Sequence, residues 1–462
     1  MKRSIILGLA GAAGLVASCS FGPMWSTPEM PVPAEFRGAG VSDSTMADLP
    51  WQQVLNDAHL QALLNDVFAN NRSLEAVMHN VESARRYITV ARAPMFPSLG
   101  YLAQGSKGAS SPATVATANE TTIPGSGGLS ASWELDIWGK TRKGIESAEA
   151  QALAAEESFN NLRISLMKQV AGGYLRLIML DEQLKIAHEA VASYSDSLKL
   201  FENQLESGVA NKLQTASAQA ALSAAEAQIP NLQMQIAEME NTLSVLAGRA
   251  PGAIERSGSM QAFASASSVA AGIPADVIAR RPDIRAAEQK LRAANAEIGV
   301  AIANYFPSIS LTGLAGIATP DLRHGLSRSA DGWGIGANLT GPLFQAGQLR
   351  ANEAMKRDAF LAAKADYEQT VLTALAEVST TLVQRTKLRD IMMKQEQAVA
   401  AYQESVKLSK ARYAQGLASY YEVLTAQQGL FPAQTQLAAY RYQYASCIPT
   451  LYTQLGGGWQ NK

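Results

Sequence analysis

The apolar positions between Leu184 and Leu205 recur at alternating gaps of three and four residues, a pattern typical of a helix packed lengthwise against other helices. No proline occurs from Gly139 to Glu206, so the sequence predicts one helix over this whole run. At ~1.5 Å per residue such a helix is about 100 Å long, far more than a compact domain needs. The apolar positions of this seam are Leu184, Ala187, Val191, Tyr194, Leu198, Phe201 and Leu205.

Shorter helices flank the long one. The periodicity predicts a helix from His59 to Ala93, ended by Pro94. It also predicts a return helix from the turn at 207–211 to about Gly248, interrupted and bent at Pro230. Together these two helices match the length of the long helix, so they can stack end to end and run antiparallel beside it.

Two short segments alternate between apolar and polar residues, as strands with one buried face do. The alternation is clear over 129–137 and weaker over 99–103, and the Gly, Ser and Thr-rich stretch 104–128 between them predicts an exposed loop. A second pair of strands is predicted at 308–317 and 333–343. The aromatic residues at the strand ends suit either a membrane-interface girdle or ordinary packing; they are Phe96, Trp138, Phe306 and Phe344.

The chain contains an internal duplication. Phe96-Pro97-Ser98-Leu99 recurs 210 residues later as Phe306-Pro307-Ser308-Ile309, and the Gly208 turn recurs 208 residues later at Gly416. The predicted domains are a signal peptide (1–18), a lipid-anchored extended arm (19–58), a first structural repeat (59–248), a linker (249–275), a second structural repeat (276–456) and a C-terminal tail (457–462).

The N-terminus has the features of an export signal. Lys2 and Arg3 precede about a dozen apolar residues, too few to span ~30 Å of hydrocarbon. The signal closes with Val16-Ala17-Ser18-Cys19, which resembles the bacterial lipobox, where the cysteine is acylated. Ordinary signal-peptidase cleavage before an unmodified cysteine is the alternative. Ser20 resembles the residue that directs such lipoproteins to the outer membrane.

After the signal no apolar run approaches 18 residues, so strands would have to carry any membrane crossing. Four strands cannot close a barrel, and open sheet edges are not tolerated in lipid. Two or three chains would therefore have to contribute strands to one barrel. Cys447, the only cysteine besides Cys19, maps onto Met239 in the duplication, which predicts a buried apolar role.

Charge and motifs exclude several function classes. The 39 basic and 40 acidic residues leave a net charge of -1, which provides no field for binding nucleic acid. The four histidines show no metal-binding spacing, and the glycine patterns of phosphate loops and nucleophile elbows are incomplete. The sequence therefore predicts no enzyme, no catalytic residue, no metal and no cofactor.

Three runs resemble the outer membrane factor family, the TolC-like and OprM-like efflux channels, and within it the lipid-anchored NodT-like branch. They are IPADVIARRPDIRAAE at 273–288, YFPSISL at 305–311 and ARYAQG at 411–416. The resemblance covers nearly all of the mature chain. It implies a mostly α fold with a membrane β-barrel portion, in which duplicated long-helix hairpins form a trimeric α-barrel continued by a 12-stranded β-barrel, four strands per chain.

The same resemblance implies function and partners. A homotrimer in the outer membrane would extend into the periplasm. A periplasmic adaptor would dock on it, and an inner-membrane pump of the RND type would supply the energy. The hairpin tips would bind the adaptor and part like an iris. The candidate docking residues are Leu205, Gly208, Val209, Leu213, Tyr413, Gly416, Leu417 and Tyr420.

Acidic rings just beyond the second tip constrict related channels, and here Glu422 and Thr425 are the candidate constriction. Ala418 and Thr425 stand where relatives often carry Asp, so cation selectivity is not implied. A solvated surface glutamate is the alternative for Glu422. Passive export of small molecules is the predicted function. An exit duct for secreted protein and a structural coiled-coil lipoprotein are the alternatives.

Overall fold

The computed structural model describes residues 21–37, 45–107, 124–260, 263, 272–319, 322 and 330–459. Its helices are α1 (Trp51–Val54), α2 (Ala58–Asn70), α3 (Arg72–Arg92), α4 (Lys140–Glu206), α5 (Lys212–Leu246), α6 (Pro274–Arg280), α7 (Pro282–Ala303), α8 (Gln348–Ala414) and α9 (Tyr420–Gln454). Its strands are β1 (Ser98–Gly105), β2 (Gly125–Leu135), β3 (Ser308–Thr319) and β4 (Ala330–Thr340). The mostly helical fold with four strands per chain is confirmed. The predicted signal peptide and Cys19 lie outside the described residues.

The chain divides into two compact units. The sheet unit comprises Met1–Glu29, Asn80–Glu156 and Ala286–Glu368, and the helical unit comprises Met30–His79, Glu157–Arg285 and Gln369–Lys462. None of the helices in the described ranges is both long enough and apolar enough to cross a membrane.

In the sheet unit the four strands form one antiparallel sheet in the order β1-β2-β3-β4. β2 pairs with β3, with Trp133 opposite Leu311, so the two predicted hairpins join into a single sheet. The sequence predicted the four strands but not this pairing. Within the chain β1 and β4 are the sheet edges.

The strand ends differ from the predicted ones for local reasons. β2 begins at Gly125, inside the stretch predicted as a loop, because its glycines pair with β1 and with β3. It ends at Leu135, since the next residue, Asp136, accepts hydrogen bonds from the backbone of Thr141 and Arg142 at the start of α4 (2.9 and 3.0 Å). β4 ends at Thr340, three residues early, because Gly341 and Pro342 follow and proline has no N–H to donate.

The four aromatic residues at the strand ends fall into two groups. Trp138 and Phe306 stack on each other, with ring centroids 5.0 Å apart, and Phe21 of the arm stacks on Phe306 at 4.5 Å. Trp138 also donates from Nε1 to the carbonyl oxygen of Pro307 at 2.6 Å. Phe96 and Phe344, in contrast, expose 65% and 87% of their surface. Packing within the chain explains the positions of Trp138 and Phe306, whereas Phe96 and Phe344 are available to contact a partner.

In the helical unit the predicted helix from His59 to Ala93 is wrong as one element, because it is broken between α2 and α3 at Asn71. The Asn71 side chain accepts the N–H of Leu74 at 3.0 Å and donates to the carbonyl oxygen of Leu246 at 2.8 Å. Arg281 breaks the second repeat at the equivalent place, between α6 and α7. The two repeats therefore share the break in their first helical segment.

The predicted extended arm is wrong for its last part. Residues 46–54 contain a 3₁₀ turn and helix α1, and Trp51 and Leu55 are almost fully buried. The Tyr452 hydroxyl donates to the carbonyl oxygen of Leu49 at 2.8 Å, which fixes this segment on α9. Its apolar residues therefore belong to the core of the helical unit.

The linker between the repeats is held by polar contacts within the helical unit. Arg256 pairs with Asp181 at 2.6 Å and with Glu240 at 2.6 Å, and these hydrogen bonds raise the pKa of its guanidinium. The next residue, Ser257, donates to Asp57 Oδ2 at 2.5 Å. Asp57 also accepts the Tyr174 hydroxyl at 2.8 Å and the N–H of Leu60 at 2.9 Å, so that it caps α2.

Two smaller predictions can be compared directly. Cys447 is a free thiol with 5% of its surface exposed, which confirms the predicted buried apolar role. Pro230 was predicted to interrupt the return helix, and that prediction is wrong: α5 continues through it from Lys212 to Leu246.

Candidate channel tip and gate

The turn between α4 and α5 is built by backbone hydrogen bonds around a glycine. Gly208 has a φ of +73°, and its N–H donates to the carbonyl oxygen of Leu205 at 3.0 Å. The N–H of Val209 donates to the carbonyl oxygen of Gln204 at 2.8 Å. These two bonds form a Schellman motif, which ends a helix where a residue adopts the left-handed conformation. Glycine adopts that conformation without a steric penalty.

The second turn repeats the first. Gly416 has a φ of +71° and donates to the carbonyl oxygen of Tyr413 at 2.9 Å, while Leu417 donates to that of Arg412 at 2.9 Å. A Cβ added at Gly416 would meet nothing within 4 Å. The backbone conformation alone therefore requires glycine here.

Both return helices begin with side-chain caps. At the start of α5, the Asn211 side chain accepts the N–H of Gln214 at 3.1 Å, and the Gln214 side chain accepts the N–H of Asn211 at 3.0 Å. At the start of α9, the Ser419 hydroxyl accepts the N–H of Tyr421 at 3.1 Å. The caps satisfy N–H groups that a helix start leaves unpaired, so each turn is a defined structure.

The candidate docking residues separate into exposed and packed ones. Val209, Leu213 and Leu417 expose 77%, 72% and 66% of their surface. Leu205 is only partly exposed. The exposed three can contact a partner directly.

Tyr413 and Tyr420, also predicted for docking, are partly exposed and pack against other aromatic rings. Their own rings meet edge to face at 4.9 Å, and Tyr420 meets Phe201 in the same way at 5.4 Å. The Tyr413 hydroxyl accepts a hydrogen bond from Gln204 Nε2 at 2.9 Å. These tyrosines join α4 of the first repeat to α8 and α9 of the second.

A buried polar cluster continues this junction between α4 and α9. Gln427, 1% exposed, donates from Nε2 to Ser193 Oγ at 2.6 Å, and its Oε1 lies 3.2 Å from Ser197 Oγ. The Tyr420 hydroxyl lies 3.2 Å from the same Ser197 oxygen. The sequence interpretation missed this cluster. A glutamine spaced three residues after Leu424, on an otherwise apolar seam, was the signal available.

Apolar packing surrounds the polar cluster. Tyr194, Leu198, Phe201 and Leu222 belong to one buried group, and Leu424 of α9 packs into it. Burial raises the pKa of the Tyr194 hydroxyl, so this tyrosine stays neutral at physiological pH. Near the tip, the contact between α4 and α9 thus combines apolar packing with the hydrogen bonds of Gln427 and Ser197.

The candidate constriction residues lie on the exposed surface of α9. Glu422 is in the first turn of that helix, and Thr425, one turn later, donates from its hydroxyl to the carbonyl oxygen of Tyr421 at 2.9 Å. Both side chains are exposed in the single chain. Their spacing of three places them on one face of α9.

Comparison with known proteins gives matches over nearly the whole chain. A model of the family described as outer membrane efflux protein matches residues 63–249 and 273–457. The probable efflux pump outer membrane protein TtgC of Pseudomonas putida is 34% identical over 99% of this chain and 96% of its own length. The cation efflux system protein CusC of Escherichia coli is 31% identical over 96% of this chain and 97% of its own length.

Solved structures are similar over the same extent. A membrane protein from Pseudomonas aeruginosa matches with a TM-score of 0.87 and 30% identity, over 95% of this chain and all of that one. A crystal structure of CusC matches with a TM-score of 0.85 and 30% identity, again over 95% of this chain and all of that one. The chain belongs to the outer membrane efflux protein family.

Proposed function

We propose that this chain is the outer-membrane channel of a tripartite efflux system and that it exports small molecules passively. The observation that carries the proposal is the division of the sheet into two faces. Directly paired residues of an antiparallel sheet share a face. The strand register places on one face Leu99, Tyr101, Leu129, Ala131, Trp133, Leu135, Ile309, Leu311, Trp333, Ile335 and Leu339.

The opposite face is mostly small or polar. It carries Ser98, Gly100, Ser130, Ser132, Glu134, Ser308, Ser310, Thr312, Gly334, Gly336, Asn338 and Thr340. A sheet with an apolar face toward lipid and a polar face toward water is the arrangement that lines an aqueous pore in a membrane. Large side chains on the apolar face support this orientation, since Tyr101, Trp333 and Ile335 expose 80% or more of their surface.

The sheet edges support a trimer. β1 and β4 each have one unpaired side within the chain, and unpaired backbone groups are costly in lipid. Three chains would bring β1 of each copy beside β4 of the next and close a barrel of twelve strands, wide enough for a pore. The homotrimer thereby completes the backbone pairing of every strand.

The tips support a passive, partner-driven mechanism. The exposed Val209, Leu213 and Leu417 offer apolar surface to a periplasmic adaptor, and an inner-membrane pump of the RND type would supply the energy. The row of hydrogen bonds between α4 and α9 would hold the tip closed until the adaptor engages. Acylation at Cys19 would anchor the chain in the outer membrane. No chemical step is required of the chain, so it acts as a conduit and not as an enzyme.

Single-channel recording in a planar bilayer tests the proposal, using two neighbouring positions of β4. Ile335→Lys places a charge on the lipid-facing side and should reduce membrane insertion, because lysine near the midplane costs ~2–4 kcal/mol per chain. Gly334→Lys is the matched control on the opposite face, where an added Cβ meets nothing within 4 Å. It should insert and conduct. Normal insertion of the Ile335 variant would contradict the proposal, as would the complete absence of channel openings, even rare ones, from unmodified protein that has inserted.

The lipid anchor has a separate test. Cys19→Ser should abolish metabolic labelling with radioactive palmitate, because the acyl acceptor is gone. Labelling that persists in this variant would exclude the lipobox assignment.

A further inference from the structure

We propose that the base of the sheet binds anionic phospholipid headgroups; this inference rests on the proposed placement of the sheet in the outer membrane. The base is the end where β1 and β3 begin and β2 and β4 end. The register fixes it, because Leu135 is opposite Ile309 and Ser308 is opposite Thr340. All four connections between strands and helices therefore leave from the same end of the sheet.

Charge is distributed unevenly between the strands and this base. The four strands contain no lysine or arginine and only two carboxylates, Glu134 and Asp331. The connecting segments at 92–97, 136–143, 304–307 and 341–350 carry one carboxylate, that of Asp136. They carry five cations, which are Arg92, Lys140, Arg142, Lys143 and Arg350. A band of net positive charge thus borders the apolar face of the sheet, whose one carboxylate, Asp331, is paired with Ile317 at the opposite end.

Three of the five cations are paired with carboxylates of the sheet unit. Arg142 contacts Asp136 at 3.1 Å, and Lys143 contacts Glu146 at 2.8 Å. Arg92 contacts Glu149 at 3.2 Å. Pairing of this kind leaves little charge for a partner.

Lys140 and Arg350 differ from these three. Both side chains are exposed, and neither forms an ion pair with a carboxylate in the part of the chain that the structure describes. Lys140 opens α4, five residues after the end of β2, and Arg350 follows the end of β4 by ten residues. They are the two cations of the base that can neutralise an external anion.

Exposed apolar side chains lie in the same connections. Leu343 and Phe344 follow β4 and are almost fully exposed, and Phe96 precedes β1 with 65% of its surface exposed. Large apolar and aromatic residues beside cations are typical of the headgroup region of a bilayer, where rings contact the acyl boundary and Lys or Arg contacts phosphate. The apolar face of the sheet continues into this band through Leu135 and Leu339. That continuity favours a phospholipid leaflet over an acidic protein as the occupant.

The test measures lipid preference by fluorescence quenching. The full-length protein is reconstituted in phosphatidylcholine vesicles containing brominated phosphatidylglycerol or, in parallel, brominated phosphatidylcholine. Trp133, Trp138 and Trp333 of the sheet unit report bromine in adjacent lipid. The variants are Lys140→Gln and Arg350→Gln, singly and together.

Phosphatidylglycerol should be preferred by the unmodified protein, and the preference should fall about fivefold for each cation removed, since one cation near an anionic surface contributes ~1 kcal/mol. Added salt should weaken it. Arg86→Gln is the matched control, because Arg86 is exposed on α3, ten residues before Phe96. This control and the charge-conserving Lys140→Arg should both retain the preference.

Equal quenching by both lipids, or an undiminished preference in the double variant, would overturn the inference. An acidic protein as the true occupant would give this same result. Conductance of the reconstituted channel distinguishes a failure of the lipid-site proposal from a failure of the proposed function. A conducting channel without lipid preference removes the lipid site alone, whereas an absent pore removes the proposed function.

Discussion

Gln427 is the residue whose removal should most directly loosen the tip. Its amide links α9 to α4 through Ser193 at 2.6 Å and Ser197 at 3.2 Å, and it is 1% exposed. Gln427→Ala removes both contacts and leaves the Ser197 hydroxyl, which is fully buried, with fewer partners. The apolar packing around Leu424 stays in place.

The size of the effect follows from these contacts. Each side-chain hydrogen bond contributes ~1 kcal/mol net, and the Ser197 hydroxyl keeps its hydrogen bond to the carbonyl oxygen of Ser193 at 2.8 Å. The pairing of α4 with α9 should therefore weaken by ~2 kcal/mol per chain. Such a change shifts the equilibrium between paired and separated helices by about thirtyfold.

Single-channel recording measures this shift as an increase in the open probability of the reconstituted protein. Gln428→Ala is the matched control, because Gln428 is the neighbouring glutamine and is exposed. It should conduct like the unmodified channel. If Gln427→Ala assembles normally and its open probability equals that of the control, the polar cluster does not hold the tip closed and the reasoning is refuted.

Two further predictions concern stability, measured by thermal unfolding of the detergent-solubilised protein. Gly416→Ala should destabilise the protein by ~1–2 kcal/mol because alanine is strained at a φ of +71°. Gly172→Ala is the control, because Gly172 lies inside α4 with no atom within 4 Å of the added Cβ, and it should stabilise the protein slightly. Equal shifts of the unfolding temperature in the two variants would contradict the turn assignment. Burial alone would raise the pKa of Asp57, but hydrogen bonds from Ser257, Leu60 and Tyr174 outweigh it and lower the pKa below its ordinary 3.8. The stabilisation by this carboxylate is thus complete above pH 3.8 and is lost as the pH falls through the lowered pKa of Asp57. Asp57→Ala should therefore destabilise the protein by ~2 kcal/mol at neutral pH and by less in acid. A pH-independent difference would show that the charge has no role.

The long helices and their turns were predictable from sequence because their causes are local. The predicted run from Gly139 to Glu206 differs from α4 by one residue. A proline-free run of periodic apolar residues forms a helix, and a glycine ends it; both effects depend on neighbouring residues only. The break at Asn71 has an equally local cause, a capping side chain between two helical segments, but the apolar period continues across it and concealed it.

Local sequence does not determine where the strands end or how they pair. Their alternation predicted four strands, yet their ends depended on Asp136 capping α4 and on Gly341-Pro342 following β4. The register between β2 and β3 joins residues about 180 positions apart in the chain. No periodicity within one segment encodes such a pairing.

The sequence by itself thus determined the long helices, the presence of four strands and the glycine turns, since each follows from the conformations that neighbouring residues allow, and it showed the duplication directly. Only the tertiary structure decided which residues meet. It packed the ring of Tyr413 against that of Tyr420 between the repeats, and it buried Gln427 against Ser193. These contacts depend on how α4, α8 and α9 pack side by side, and packing across the chain is a property of the assembled core rather than of any one segment.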